Sequence, residues 1–438
     1  MTEQNEPEGV DPEEFAKFLS ELMNGNGSID PTELSKIAGL PSDPIALKAL
    51  MEQLRRAITD GQTNTVAGVN WKLAEQQALT AARDGGYAVS DPQREAIREA
   101  NKIAELWLDQ ATNLSAVPTE PKLLSRELWV LDALPLFQSL AGPIAERVAE
   151  ALSENLEQNL PAELDEFAKG ARGIMRSAGG TLFAMQLGQT LGKLSQEVVS
   201  GGDIGLPFYA ESRAALVPQN LEALIRDNEL AADQALIYFN LRELSHSRLF
   251  RHSRWLRDSV IAQLSNYAQG INIDGDAMRD LAQEITPENA EALKAALESG
   301  ALLADRSEEQ LTALAAIEHL LALVEGWVTV VSENSSKLLP SNSSLAEVTR
   351  RRATASPARA TFSTLIGLDL QPKRSREAAE FWRVVTSRLG VQKRDALWDH
   401  PDLLPTAEDI DNVDAFIDRI ESGGDQFDQD LKDLLGDS

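Results

Sequence analysis

Apolar residues in this chain recur at three- and four-residue spacing within long segments rich in Ala, Leu, Glu, Gln and Arg. Alternating β-branched runs are scarce, so the helical period dominates. Pro, Gly, Ser and Asp punctuate the segments where helix caps belong. The pattern predicts helices over 11–22, 44–58, 70–84, 91–113, 118–141 and 142–157. It predicts others over 218–226, 228–250, 253–269, 287–299, 307–332, 344–355, 375–389 and 411–421, with a loop at 333–343. Ser307-Glu308-Glu309-Gln310 reads as a capping box, in which side chains at the first and fourth positions satisfy each other's backbone N–H groups. Within 179–202, Gly180, Ala184, Gly188 and Gly192 form a smooth stripe that lets another backbone approach. Gln186, Gln189, Lys193 and Gln196 make this a packed helix of a globular protein rather than a membrane helix pair.

The expected fold class is mainly α: a multi-helix domain over 61–422 with an additional N-terminal helical segment at 11–60. Residues 1–10 and 423–438 read as acidic tails, the first of them disordered, and no fixed-period repeat is visible.

Composition narrows the function. The 438 residues carry 41 Lys+Arg against 69 Asp+Glu, a formal charge of −28. That charge opposes binding to nucleic acid or anionic membranes, which are themselves polyanions. Without Cys there are no disulfides, thiolate metal ligands or thiol nucleophiles. No run of about 18 apolar residues predicts a spanning helix. The polar, acidic N-terminus is unlike an export signal, so the expected location is the cytoplasm.

Histidine chemistry has four candidates: His246, His252, His319 and His400. His246 closes the segment Leu241-Arg242-Glu243-Leu244-Ser245-His246 inside a helix. At 3.6 residues per turn, Ala235, Phe239, Arg242, His246 and Leu249 share one apolar stripe. Zinc peptidase helices carry His at i and i+4 with Glu directly after the first. Here the Glu and the second His are in register, and Arg242 holds the first place. A guanidinium has no lone pair for a metal and does not lose its proton. Glu325 sits on the apolar face of the 307–332 helix, and Gly326 after it permits close packing. Glu318, two turns earlier on the same face, is a secondary candidate. On residue types alone, RExxH reads first as a structural ion-pair motif.

Asn24 to Glu33 resembles part of a calcium-binding loop but lacks its first acidic ligands, and reads as a turn before an Asp30-capped helix. Arg350, Arg351 and Arg352, with Arg359, Lys373, Arg374 and Arg376, form a basic cluster that reads as a solvated helix face. His252 and His319 fall off the candidate stripes, and His400 stands in a turn before Pro401. No nucleophile elbow, phosphate loop or dinucleotide fingerprint is present.

The run RELSHSRLFRHSRWLR at 242–257 resembles the signature of actinobacterial zincin-like proteins, labelled zinc-dependent metalloproteases or hydrolases. A sister branch is linked to biosynthesis of a deazaflavin coenzyme. The other carriers are GDIGLPF at 202–208, ALVPQNLEAL at 215–224, ALVEGWV at 322–328, TFSTLIGLDLQPKRSREAAEFW at 361–382 and RDALWDHPDLLPTAEDID at 394–411. The resemblance implies a zincin-like helical fold with zinc as cofactor. It implies Glu243 as general base, here vestigial, and His246 and Glu325 as metal ligands wherever metal is bound. Arg242 departs from HExxH, and a branch of the family shares this Arg. The expectation is a pseudoenzyme with zinc absent or weakly bound, Arg242 as the cation in the metal's place, and a scaffold or binding role toward an unknown protein or peptide. The alternatives are a zinc hydrolase using Glu243 and a structural partner in a cytoplasmic complex.

Overall fold

A computed structural model describes residues 65–66, 69–159, 165–203, 213–272, 274–277, 301, 304–354, 360, 363 and 373–422. The helices expected over 11–22, 44–58 and 287–299, the calcium-loop-like segment and both acidic tails lie outside the described residues. The chain divides into two compact units. One gathers Met1–Leu73, Ile144–Met185 and Asn272–Asp305; the other gathers Ala74–Pro143, Gln186–Ile271 and Arg306–Ser438. In the first, β1 (Thr65–Val66) pairs antiparallel with β2 (Val69–Asn70), and the Asn70 side chain accepts the Leu73 N–H at 3.1 Å. Phe183 and Ala184 are buried there.

Four helices begin the described chain: α1 (Trp71–Arg83), α2 (Asp91–Leu108), α3 (Arg126–Asn159) and α4 (Asp165–Glu197). Five follow: α5 (Pro218–Asp227), α6 (Ala232–His252), α7 (Arg254–Gln269), α8 (Glu308–Ser335) and α9 (Asn342–Thr354). Last come α10 (Ser375–Ala396), a short 3-10 turn at Pro401–Leu403, α11 (Ala407–Asp411) and α12 at 413–422. The fold is mainly α, as the periodicity implied. Two expectations need correction. The break placed at 141–142 does not occur; α3 continues through Pro135 and Pro143, each of which forgoes one backbone hydrogen bond. The stretch before it, read as helix from 118, contains β3 (Lys122–Leu123) instead. Pairing with a distant segment decides that outcome: β3 runs parallel to β4 (Ala215–Leu216), and the 199–201 turn lies on β4's other edge.

The site is positioned by α6 and α8, which pack on each other in the second unit. α2 lies against α6, while α7 and α10 lie against α8. Local chemistry starts α8 where the capping box said: Ser307 Oγ accepts the Gln310 N–H at 3.2 Å, and Gln310 Oε1 accepts the Ser307 N–H at 3.0 Å. α8 is the one described helix long and apolar enough to cross a membrane, and 61% of that apolar window is buried in the fold. Its Trp327 joins Trp382 and Trp398 in a cluster, with Trp327 edge-on to Trp398 at 6.4 Å and Trp382 stacked on Trp398 at 5.5 Å. Such rings bury large apolar areas and favour these offset and edge-on geometries. α6 is enclosed on almost every side from Tyr238 to Phe250, more fully than a single apolar stripe suggests.

Small residues set the close approaches. A Cβ on Gly188 would meet Ala74 O at 2.4 Å, and one on Gly192 would meet Ala81 Cβ at 2.4 Å, so these two glycines of α4 receive α1. A Cβ on Gly326 would stand 2.8 Å from Ala378 C and Cβ and from Ala379 N. These are mostly backbone atoms of α10, which cannot swing away as a side-chain tip can. Gly326→Ala is therefore expected to destabilise the protein by ~1–3 kcal/mol in denaturant unfolding, the usual cost of overpacking. Wild-type stability would mean that α10 slides freely along α8.

Candidate functional site

Asp233 in the first turn of α6 and Arg251 with His252 in its last complement the helix dipole. Midway along, the one-turn spacing of Arg242 and His246 presents both to α8. Arg242 Nη2 donates to Glu325 Oε1 at 2.5 Å. His246 Nε2 stands 3.6 Å from Glu325 Oε2. The three side chains are only 12%, 6% and 24% exposed for Arg242, His246 and Glu325. His246 Nδ1 lies 3.0 Å from the Arg242 carbonyl oxygen. A carbonyl only accepts, so Nδ1 carries the proton. His246 Nε2, facing Glu325, is buried without a hydrogen-bond partner.

Burial alone would raise the Glu325 carboxyl above the ordinary carboxylate range. The Arg242 guanidinium and His246 override it and hold the carboxyl down at about 2. Burial likewise works against the Arg242 charge, but Glu325, Tyr238 and Asp203 more than offset it, so its pKa is raised. Arg242 and Glu325 are thus both charged across the physiological range.

Glu243 points elsewhere. Its Oε2 accepts the Gly202 N–H at 2.9 Å and its Oε1 accepts the Ala215 N–H at 2.7 Å. The carboxylate therefore joins α6 to the small sheet. Burial pushes Glu243 up; His246, the two backbone amides and Ser200 hold against that rise. Gly202 matters for a second reason: a Cβ there would meet His246 Cγ at 2.9 Å and Glu243 Oε2 at 3.1 Å.

The remaining candidates are dispersed. Glu318 lies about 10 Å along α8 from Glu325 at the helical rise, and Lys373 Nζ donates to it at 2.6 Å. It does not join the centre. His252 Nε2 pairs with Asp399 at 2.6 Å, and His319 Nε2 lies 2.8 Å from the Pro405 carbonyl oxygen, with burial depressing its pKa. His400 Nδ1 accepts the Asp402 N–H at 3.3 Å and caps the 3-10 turn. Arg359 of the basic cluster lies outside the described residues, and Arg350, Arg351, Arg352, Lys373 and Arg374 bond within the protein. Arg350 pairs with Glu347, Arg351 donates to Asn228, and Arg374 pairs with Asp411. Arg352 departs from the expected solvated face: it reaches inward to Asp203 at 2.8 Å and the Glu197 carbonyl at 2.8 Å.

The profile of the zincin-like metallopeptidase family matches residues 69–417. The chain belongs to that family. A protein from Chloroflexus aurantiacus, described as a candidate hydrolase with a novel fold, shares the architecture with a TM-score of 0.56 at 19% identity. The likeness covers 81% of this chain and 99% of that one. No curated protein matches the chain.

Zinc, which the family implies, can be tested against the donors present. A catalytic zinc takes three protein ligands and leaves a fourth position for water. Here His246 Nε2 and Glu325 Oε2 are two donors. The third place holds a guanidinium whose N–H is directed at Glu325. Among the described residues no group of three or more His, Cys, Asp or Glu could hold a metal. The residues of this zincin-like centre do not fit the ion. Sequence reasoning did not foresee Gly202, Asp203, Ala215 or Arg352 around the centre. Of these, Gly202, Asp203 and Ala215 lie in segments that carry the family resemblance, but nothing in those segments says which helix they cover.

Proposed function

We propose that this zincin-like protein is not a peptidase and serves as a scaffold or binding module for a protein or peptide partner. In this reading it represents a branch carrying RExxH where relatives carry HExxH, akin to the actinobacterial proteins it resembles. One observation carries the proposal: the Arg242 guanidinium, bonded to Glu325 at 2.5 Å, stands in the first-ligand place. The Glu243 carboxylate supports it, since it is buried and each of its oxygens is turned to a backbone amide of the fold and away from Glu325. A general base needs a free oxygen within hydrogen-bond reach of the water it activates. Glu243 is in this reading the remnant of such a base.

The buried, unpartnered Nε2 of His246 favours a second reading, a zinc hydrolase on two protein ligands. Full-length protein incubated with zinc and a mixture of unfolded casein and synthetic peptides separates the two. The expected result is no cleavage above a protein-free blank over a day, read by mass spectrometry. Zinc-dependent cleavage that disappears in Glu243→Gln would overturn the proposal.

A further inference from the structure

We infer that the Arg242 guanidinium does the structural work of the family's ion, as a covalently tethered cation that locks α6 to α8 and makes the fold independent of metal. The inference rests on the reading above that Arg242 occupies a ligand place, and extends it from a loss of chemistry to a replacement. A carboxylate as enclosed as Glu325 needs a compensating cation. The guanidinium supplies it at 2.5 Å from Oε1. It comes from the residue one turn before His246, the motif position at which zinc peptidase helices carry their first His.

The rest of the arrangement is kept in a form that serves an ion. His246 remains pinned through Nδ1 to the Arg242 carbonyl oxygen at 3.0 Å, so its ring is aimed and Nε2 is not free to turn away. That nitrogen is buried and makes no hydrogen bond, which a histidine placed only for packing would be expected to avoid. Nε2 and Glu325 Oε2 stand 3.6 Å apart, so both face one small volume. Two donors of a three-donor set are thus in position, and a single side chain separates the set from completion.

The experiment uses the full chain, wild type and Arg242→His, each incubated with excess zinc and desalted. Zinc is counted by elemental analysis, and the thermal unfolding midpoint is recorded with zinc and with EDTA. Wild type is expected to carry no zinc and to unfold at one midpoint under both conditions. Arg242→His is expected to carry about one zinc per chain and to unfold later with zinc than with EDTA. Stoichiometric zinc in wild type, lost in His246→Ala, would overturn the inference, and so would a folded Arg242→His that takes none. If Arg242→His does not fold, Arg242→Met and Arg242→Met/Glu325→Leu decide the matter. The single change should lower the midpoint, and the apolar pair should restore most of it; an unshifted midpoint in the single variant overturns the inference. Zinc in wild type without cleavage defeats this inference alone, whereas metal-free cleavage defeats only the non-peptidase reading.

Discussion

Replacing Asp395 by Ala is expected to cost ~3–5 kcal/mol, the range for breaking a buried ion pair by removing one partner. Asp395 and Arg394 are 2% and 0% exposed. Asp395 Oδ1 accepts from Arg394 Nε at 2.7 Å and from Trp327 Nε1 at 3.1 Å. Its Oδ2 accepts from Thr112 Oγ1 and from the Asn113 N–H, both at 2.7 Å. One carboxylate thus joins α10, α8 and the segment after α2. Burial lowers the Arg394 pKa and Asp395 opposes that fall, so truncation strands a guanidinium in the core. The loss is a large share of the ~5–15 kcal/mol that holds a typical protein folded. Denaturant unfolding followed by tryptophan fluorescence is the measurement, because Trp327 lies in the same cluster. Asp395→Asn, which keeps one acceptor oxygen but loses the charge and the second acceptor, should fall between wild type and Asp395→Ala. An Asp395→Ala midpoint within about 1 kcal/mol of wild type would show that water reaches Arg394 and that the node is not sealed.

That node was not legible in the sequence, and the contrast with Glu325 explains why. Arg242, His246 and Glu325 could be placed on facing stripes because helical periodicity maps spacing onto direction. Helix ends followed from local chemistry too. Gly390 adopts φ +81° within α10, next to the predicted end at 389. Arg394 and Asp395 are adjacent charges near a helix end, which looks like exposed surface until Thr112, Asn113 and Trp327 arrive from elsewhere. Arg248 is similar. It reads as one more charge beside His246, yet it is 1% exposed on its side chain and pairs with Glu105 and Asp109. The two-residue strands β3 and β4 are too short to show alternation, so nothing announced that Glu243 would bond the N–H of Ala215. Local periodicity found the helices and the facing residues. Long-range backbone pairing decided which carboxylate faces the centre and which is consumed by the fold.

Glu325→Gln is expected to lower stability near neutral pH by ~2–3 kcal/mol, and the deficit should vanish in acid. The Glu325 carboxyl is held at about 2, below its ordinary value of 4.5, despite burial, because Arg242 and His246 favour its charged form. A group depressed in the folded state contributes stability above its unfolded pKa and loses it as pH falls through the folded one. Each pKa unit corresponds to about 1.4 kcal/mol, and the 24% exposure of this side chain trims the total. The difference in unfolding free energy between wild type and Glu325→Gln should therefore be flat above about pH 5 and shrink toward zero as pH approaches 2. Gln is the right comparison, since a protonated carboxyl and an amide have nearly the same shape. The raised pKa of Glu243 tilts stability the opposite way with pH, but it is present in both proteins and largely drops out of the difference. Paired urea titrations at several pH values supply the measurement. A difference that persists unchanged to pH 2 would assign the effect to packing. A Glu325→Gln protein as stable as wild type at pH 7 would show that Arg242 finds another partner, for which Asp203, one of the groups raising its pKa, is the nearest choice on these grounds.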